Sequence, residues 1–104
     1  MSDTNEFFTD YLPGKLKENP SLSSIGSVYQ FDIDGAGTWT VDLKTEGGVV
    51  AEGAADAADC VVTIAKDDFE GLLDNPANGM ILFTQGKLKV SNIGLAMSLQ
   101  KILS

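Results

Sequence analysis

The chain has 104 residues, 43 % of them hydrophobic, and a formal net charge of −8. Its seven cationic residues are all Lys, which removes the bidentate guanidinium reader of phosphate and guanine and argues against a nucleic-acid partner. It has no His and a single Cys, Cys60, so Ser-His-Asp and Cys-His catalysis, His-ligated metal sites and an intrachain disulfide are excluded within one chain.

The length suits one domain over residues 1–104, with a single core. Asn5 to Asn19 reads as a first helix, because Phe7, Phe8, Tyr11, Leu12 and Leu16 recur at helical spacings. Thr4 or Asn5 can cap it, and Pro13-Gly14 is expected to kink or interrupt it. Ser27 to Asp34 is a strand with Tyr29, Phe31 and Ile33 on one face and Gln30, Asp32 and Asp34 on the other. Asp34-Gly35-Ala36-Gly37 is a hairpin turn. Thr38 to Lys44 returns with Trp39, Val41 and Leu43 on one face. A turn at Glu46-Gly47-Gly48 leads to a third strand, Val49 to Glu52. A small-residue loop follows, and Cys60 to Ile64 is a fourth strand. Asp67 opens a helix as the first half of a capping box with Glu70, and Asn75-Pro76 ends it. Met80-Ile81-Leu82-Phe83 is a short apolar run of helical character. The predicted fold is α+β: a five-stranded, mostly antiparallel sheet covered by helices.

The C-terminal stretch is the most informative. Leu88 and Val90 alternate with Lys87 and Lys89, the period of a half-buried strand. Ser91-Asn92 offers capping oxygens. Ile93, Leu95, Ala96, Met97, Leu99, Ile102 and Leu103 then leave only Ser98, Gln100 and Lys101 to face water. A helix apolar on nearly every side needs cover on both faces, yet this one is too short to cross a bilayer. One face can lie on the sheet; the other must meet a partner, a lid or a bound apolar ligand.

Polar patterns elsewhere carry less. Asp32-Ile33-Asp34-Gly35 begins like a calcium loop but lacks the later ligands. Asp56, Asp59, Asp67 and Asp68 form an acidic region around a strand and a helix start; caps and the helix dipole account for Asp67 and Asp68, and no metal is expected. Gly86-Lys87 lacks the rest of a phosphate loop. Cys60 starts an apolar strand with nothing nearby to lower its pKa, and reads as a core residue. Lys87, Lys89 and Lys101 could cluster against an anionic membrane, but a solvated face explains them better. Excess apolar surface remains at Trp39, Phe69, Met80, Ile81, Phe83, Met97 and the last helix. An ordinary core or a dimer interface accommodates it. So does an apolar cavity with Gln85 and Gln100 as its few polar groups, in which the flexible Met97 adapts to ligand shape.

Several segments together resemble the sterol carrier protein 2 family. They are Trp39-Thr40-Val41-Asp42-Leu43, Ala58-Asp59-Cys60 with Thr63, Asp68-Phe69 with Leu72, Phe83, Gln85-Gly86-Lys87-Leu88-Lys89-Val90, and Gly94-Leu95-Ala96-Met97. They occur in the family's order and at near-identical spacing. The resemblance implies a hydrophobic tunnel under the C-terminal helix for a fatty acid, a fatty acyl-CoA or a sterol. It places Trp39, Phe83, Met97 and Gln100 at tunnel positions, with Val41, Phe69, Ile81, Gln85 and Leu95 completing the expected lipid-binding set. A non-enzymatic, monomeric lipid carrier without a cofactor is the expectation, with only transient membrane contact. The alternative is an interaction domain that dimerises or docks through its last helix. No signal peptide or membrane span is visible, and the final Ile-Leu-Ser is not the Ser-Lys-Leu peroxisomal address, so a cytoplasmic location is expected.

Overall fold

A computed structural model of the chain describes residues 4–44, 48–55 and 57–98, without the side chains of residues 20, 21, 23 and 76. Strands β1 (Val28–Asp34), β2 (Gly37–Asp42), β3 (Val49–Glu52), β4 (Cys60–Ala65) and β5 (Leu88–Val90) form one sheet in the order β3-β2-β1-β4-β5. The pairings β1/β2, β2/β3 and β4/β5 are antiparallel, and β1/β4 is parallel. The period-2 pattern sets which face is inside. Tyr29, Phe31, Ile33, Trp39, Val41, Cys60, Val62 and Ile64 are all buried, as is Leu43 just beyond β2. The β1–β2 turn needs Gly35, whose φ of 93° lies where a side chain is strained.

A parallel β1/β4 pair requires the chain to return from the far end of β3. Residues 53–55 and 57–59 make that return across the outer sheet face. Gly53 N–H donates to the Thr38 carbonyl (2.8 Å), and the Thr40 hydroxyl donates to the Gly53 carbonyl (2.7 Å). Ala55 N–H donates to Gln30 Oε1 (3.1 Å), and Asp59 N–H donates to the Val28 carbonyl (2.8 Å). The Gly/Ala composition of this loop suits backbone lying close on a sheet. Asp59 Oδ2 pins its end by accepting from Val28 N–H (2.9 Å) and pairing with Lys44 Nζ (3.1 Å).

The inner face carries helices. A continuous helical run, α1 (residues 4–18), begins with Thr4–Glu6, passes through a π-helical segment Phe7–Tyr11 and continues as α-helix through Leu12–Glu18. Pro13 does not interrupt it, contrary to expectation. The proline falls where the wider π segment gives way to α-helix, and Leu12 N–H bonds back to Phe7, a five-residue step. Wider π geometry relieves the clash and the missing donor that break an ordinary helix at proline. Phe7, Phe8, Leu12 and Leu16 are buried. Phe8 stacks on Trp39 of β2 (centroids 5.0 Å apart, planes 11° apart) and on Phe69 (5.6 Å, 7°). Phe69 belongs to α2 (Lys66–Asp74), which is followed by α3 (Gly79–Thr84) and, after β5, α4 (Ile93–Ala96).

The expected Asp67/Glu70 capping box does not form. Helix α2 starts from Ala65 with no side-chain cap. Glu70 instead turns to α1, where its Oε2 accepts from Thr4 N–H (2.9 Å) and the Thr4 hydroxyl (3.1 Å). Thr4 is buried, so its donors need a partner more than the exposed start of α2 does. Glu70→Ala is expected to cost about 1–3 kcal/mol in urea denaturation, because it leaves buried donors unpaired. The Val28 N–H bond, and then Lys44, hold the Asp59 carboxyl below the usual carboxylate range. A lowered folded-state pKa contributes stability above the ordinary carboxylate value, and that stability is lost as pH falls through the lowered one. Denaturant midpoints measured across acidic pH should therefore decline less steeply in Asp59→Asn than in the parent.

Candidate functional site

The two halves of the inner sheet face are covered differently. Over β1 and β2, the long α1 fills the space with aromatic rings. Over β4 and β5 the cover is α2 with the six-residue α3 and the four-residue α4. Among the described residues these short helices do not fill the layer, and a cavity of about 400 Å³ remains. Its floor is Phe31, Val62, Ile64, Leu88 and Val90 from the sheet. Phe69 and Leu72 of α2 form one side, continued by Ala77 and Gly79. Met80 and Phe83 of α3 face Ile93, Ala96 and Met97 across the opening. None of these wall residues carries a charged or hydrogen-bonding side chain. The rim is exposed: Met80 is 72 % accessible and Met97 74 %.

Local chemistry holds each wall. At the end of α3, Gly86 adopts φ 76°; its N–H donates to Phe83 (3.1 Å), and Lys87 N–H donates to Leu82 (2.9 Å). This Schellman pair reverses the chain and turns Leu88 into the cavity floor. It gives a physical reason for glycine in Gln85-Gly86-Lys87. After β5, Ser91 continues the ladder: its N–H donates to Val61 (3.0 Å) and its hydroxyl oxygen accepts from Val61 N–H (2.8 Å). Asn92 Oδ1 caps α4 by accepting from Leu95 N–H (3.1 Å), as its sequence position suggests. The Tyr29 hydroxyl donates to the Leu95 carbonyl (2.7 Å), tying α4 to the central strand from inside the core. Cys60 Sγ donates to the Asn92 carbonyl (3.6 Å). Burial pushes up the pKa of both the Cys60 thiol and the Tyr29 hydroxyl. Cys60 is therefore a packed thiol, not an activated nucleophile.

The structure divides the expected lipid-binding set. Phe69, Phe83 and Met97 lie in the cavity wall. Trp39 and Val41 are buried on the other half of the sheet, under α1, with Phe8 between Trp39 and Phe69. Ile81 and Gln85 are exposed and off the wall. Leu95 packs half-buried against the core and contributes its carbonyl to Tyr29. Gln100 lies outside the described residues, so neither glutamine supplies a polar group to the described wall. The sheet floor went unnoticed in the sequence, because Val62, Ile64, Leu88 and Val90 look like any inward strand residues. Tyr29 carried a usable signal: a tyrosine on a buried strand face needs an acceptor for its hydroxyl. Among the described residues, no group of three or more His, Cys, Asp or Glu could hold a metal ion, and no helix is long and apolar enough to cross a membrane.

Comparison with known proteins agrees with this architecture. Residues 8–104 match the SCP-2 sterol transfer family. Chicken (Gallus gallus) sterol carrier protein 2 is 42 % identical over 96 residues, 85 % of this chain and 18 % of that protein. Mouse (Mus musculus) hydroxysteroid dehydrogenase-like protein 2 is 42 % identical over 82 residues, 75 % of this chain and 17 % of that protein. The chain thus spans under a fifth of these relatives. Among solved structures, apo sterol carrier protein 2 from Yarrowia lipolytica superposes with a TM-score of 0.73 at 29 % identity, covering 94 % of this chain and 81 % of that one. With its five-stranded mixed sheet and the cavity beneath the C-terminal elements, the chain belongs to the SCP-2 sterol transfer family.

Proposed function

We propose that this domain binds a long apolar lipid (a fatty acid, fatty acyl-CoA or sterol) in the cavity and carries it shielded from water. The observation that carries the reading is a cavity of about 400 Å³ whose described wall residues are all apolar. That volume is typical of small-molecule sites. Each methylene buried there contributes about 0.8 kcal/mol before ordering costs. Roughly ten methylenes thus reach the −8 kcal/mol or so of micromolar binding without any polar contact. Family membership and the carrier named in the chicken relative support the same reading. Phe69, Phe83 and Met97 are the expected residues that touch the ligand. The exposed apolar rim suits a monomeric carrier that collects and releases its ligand in brief contact with a membrane. The side-chain chemistry suits carriage rather than catalysis, with no His in the chain and the thiol of Cys60 buried.

Calorimetric titration of the delipidated protein is the direct test, because it reads occupancy without relying on Trp39, which is buried and is not itself a described wall residue. Saturable one-to-one binding of at least one lipid is expected. Met97→Glu, at a site exposed enough to keep the fold, should weaken it about tenfold, since a rim carboxylate must be desolvated or displaced. A parent protein that binds no lipid, with mass rising with concentration in light scattering, would favour the interaction domain instead. Tyr29→Phe should cost about 1 kcal/mol in urea denaturation and also weaken lipid binding, because α4 loses its tether to the core.

A further inference from the structure

We infer that the Asn78–Gly79 peptide, set in the wall of the cavity, is a site of spontaneous deamidation, and that the isoaspartyl backbone it produces weakens the hold of that wall on a ligand. The second half rests on the lipid-carrier reading; the first does not.

Asparagine is thermally labile, because the next backbone nitrogen can attack its side-chain amide. The chain has five Asn. Asn19 and Asn75 precede proline, which has no N–H to give up. Asn92 precedes the β-branched Ile93, and its Oδ1 is held by Leu95 N–H (3.1 Å). Asn5 precedes Glu6 at the start of α1. Asn78 alone precedes glycine, which has no side chain to hinder the approach and lets the backbone turn freely. The side chain of Asn78 makes no cap hydrogen bond that would restrain it.

The place in the fold adds opportunity. Asn78 ends a single 3₁₀ turn, Pro76–Asn78, and Gly79 begins the six-residue α3. The Asn78 N–H closes the turn on the Asn75 carbonyl (3.0 Å). Gly79 N–H is the first amide of α3, and the leading amides of a helix have no partner inside it. Ala77 and Met80 are exposed, and Asn78 and Gly79 only half-buried, so opening this junction uncovers little apolar surface. Segments of this kind open locally at low free energy. Opening is also required. At the observed ψ of −9° the Gly79 nitrogen is turned away from the Asn78 side chain, and rotation about the Asn78 Cα–C bond must bring it onto Cγ.

The chemistry needs only water. The Gly79 nitrogen gives its proton to solvent and bonds to Asn78 Cγ; the Cγ–Nδ2 bond breaks, and Nδ2 leaves as ammonia. The resulting succinimide adds water at one of its two carbonyls. Cleavage between Cγ and the Gly79 nitrogen leaves an ordinary aspartyl link. Cleavage between the Asn78 main-chain carbonyl carbon and that nitrogen leaves an isoaspartyl link, whose main chain runs through Cβ and Cγ and is longer by a methylene. That added length falls where the turn meets α3. Ala77 and Gly79 line the cavity there, and α3 carries the wall residues Met80 and Phe83. The aspartyl product keeps the backbone path and leaves the wall in place.

The test ages the folded protein in mildly alkaline buffer and follows its peptides by mass spectrometry. The peptide holding Asn78 is expected to gain the mass of amide-to-acid conversion while Asn5, Asn19 and Asn92 stay unchanged. No gain in the folded protein, with gain in the urea-unfolded chain, overturns the first half. Gly79→Ala should slow the conversion roughly tenfold, because it restricts the backbone rotation. The variant is compatible with the fold, since a Cβ at Gly79 meets Leu72 Cδ1 at 3.5 Å, an ordinary contact. The isoaspartyl form is then separated by chromatography and titrated with palmitate and with cholesterol, beside fresh parent and Asn78→Asp. Asn78→Asp carries the same added charge on an unaltered backbone. A several-fold loss of affinity confined to the isoaspartyl form is expected. An equal loss in Asn78→Asp, or no loss in either, overturns the second half. A fresh parent that binds neither ligand overturns the carrier reading and the second half with it, while the mass gain still decides the first.

Discussion

The stack of Trp39, Phe8 and Phe69 is the interaction on which the rest of the domain depends. Phe8 lies between a ring from the sheet and a ring from α2, with both pairs of planes nearly parallel. Three elements distant in sequence are thereby fixed at one point: α1 on β2, and α2 against α1. The Glu70–Thr4 hydrogen bonds bind the same two helices at the edge of this contact. Because Phe69 also faces the cavity, the stack is both the centre of the core and the back of the cavity wall. Aromatic pairs in such geometry contribute beyond the area they bury, which suits a joint that must stay rigid beside an empty space.

The cavity follows from an imbalance in cover. One half of the inner sheet face has a long helix with large apolar side chains at every inward position. The other half has short helices on tight turns, each held by a few polar contacts: the Gly86 reversal, the Asn92 cap, the Ser91–Val61 ladder and the Tyr29–Leu95 bond. These contacts fix where the short helices sit without filling the volume beneath them. Protein interiors are ordinarily packed to crystal-like density, so an apolar volume left open among the described residues is a departure that these contacts hold in place.

Much of this architecture was legible in the residues. Alternation at Tyr29/Phe31/Ile33 and Trp39/Val41/Leu43 gave the correct inner face. The Asn92 cap, the short helix at Met80–Phe83 and the buried role of Cys60 were readable from local rules. What escaped were consequences of tertiary contact. Glu70 has the spacing of a local capping box but answers a buried donor on another helix. Pro13 sits in a helix that accommodates it through a π segment, which no propensity announces. Trp39 stacks on Phe8 and pairs across the sheet with Phe31, partners that its own position in the sequence does not reveal. The cavity floor is invisible in sequence, because a strand residue facing a ligand and one facing a core obey the same period. The parallel partnership of β1 and β4 was likewise hidden, since turn signals report hairpins and not crossings.

That crossing bears on how the chain folds. The β1/β2 hairpin closes over the two residues Gly35 and Ala36, whereas β1 meets β4 only when positions separated by 31 residues come together, as Val28 and Asp59 do. The entropy of closing the larger loop must be overcome before the pairing rewards it, so the hairpin is expected to precede β4 docking in folding. Until β4 arrives, β1 presents an unpaired backbone edge in the middle of what will become the sheet. A partly synthesised chain ending within the Gly/Ala loop would therefore expose a template for association with other chains. The β4 strand thus supplies part of the cavity floor and also closes the β1 edge against association with other chains.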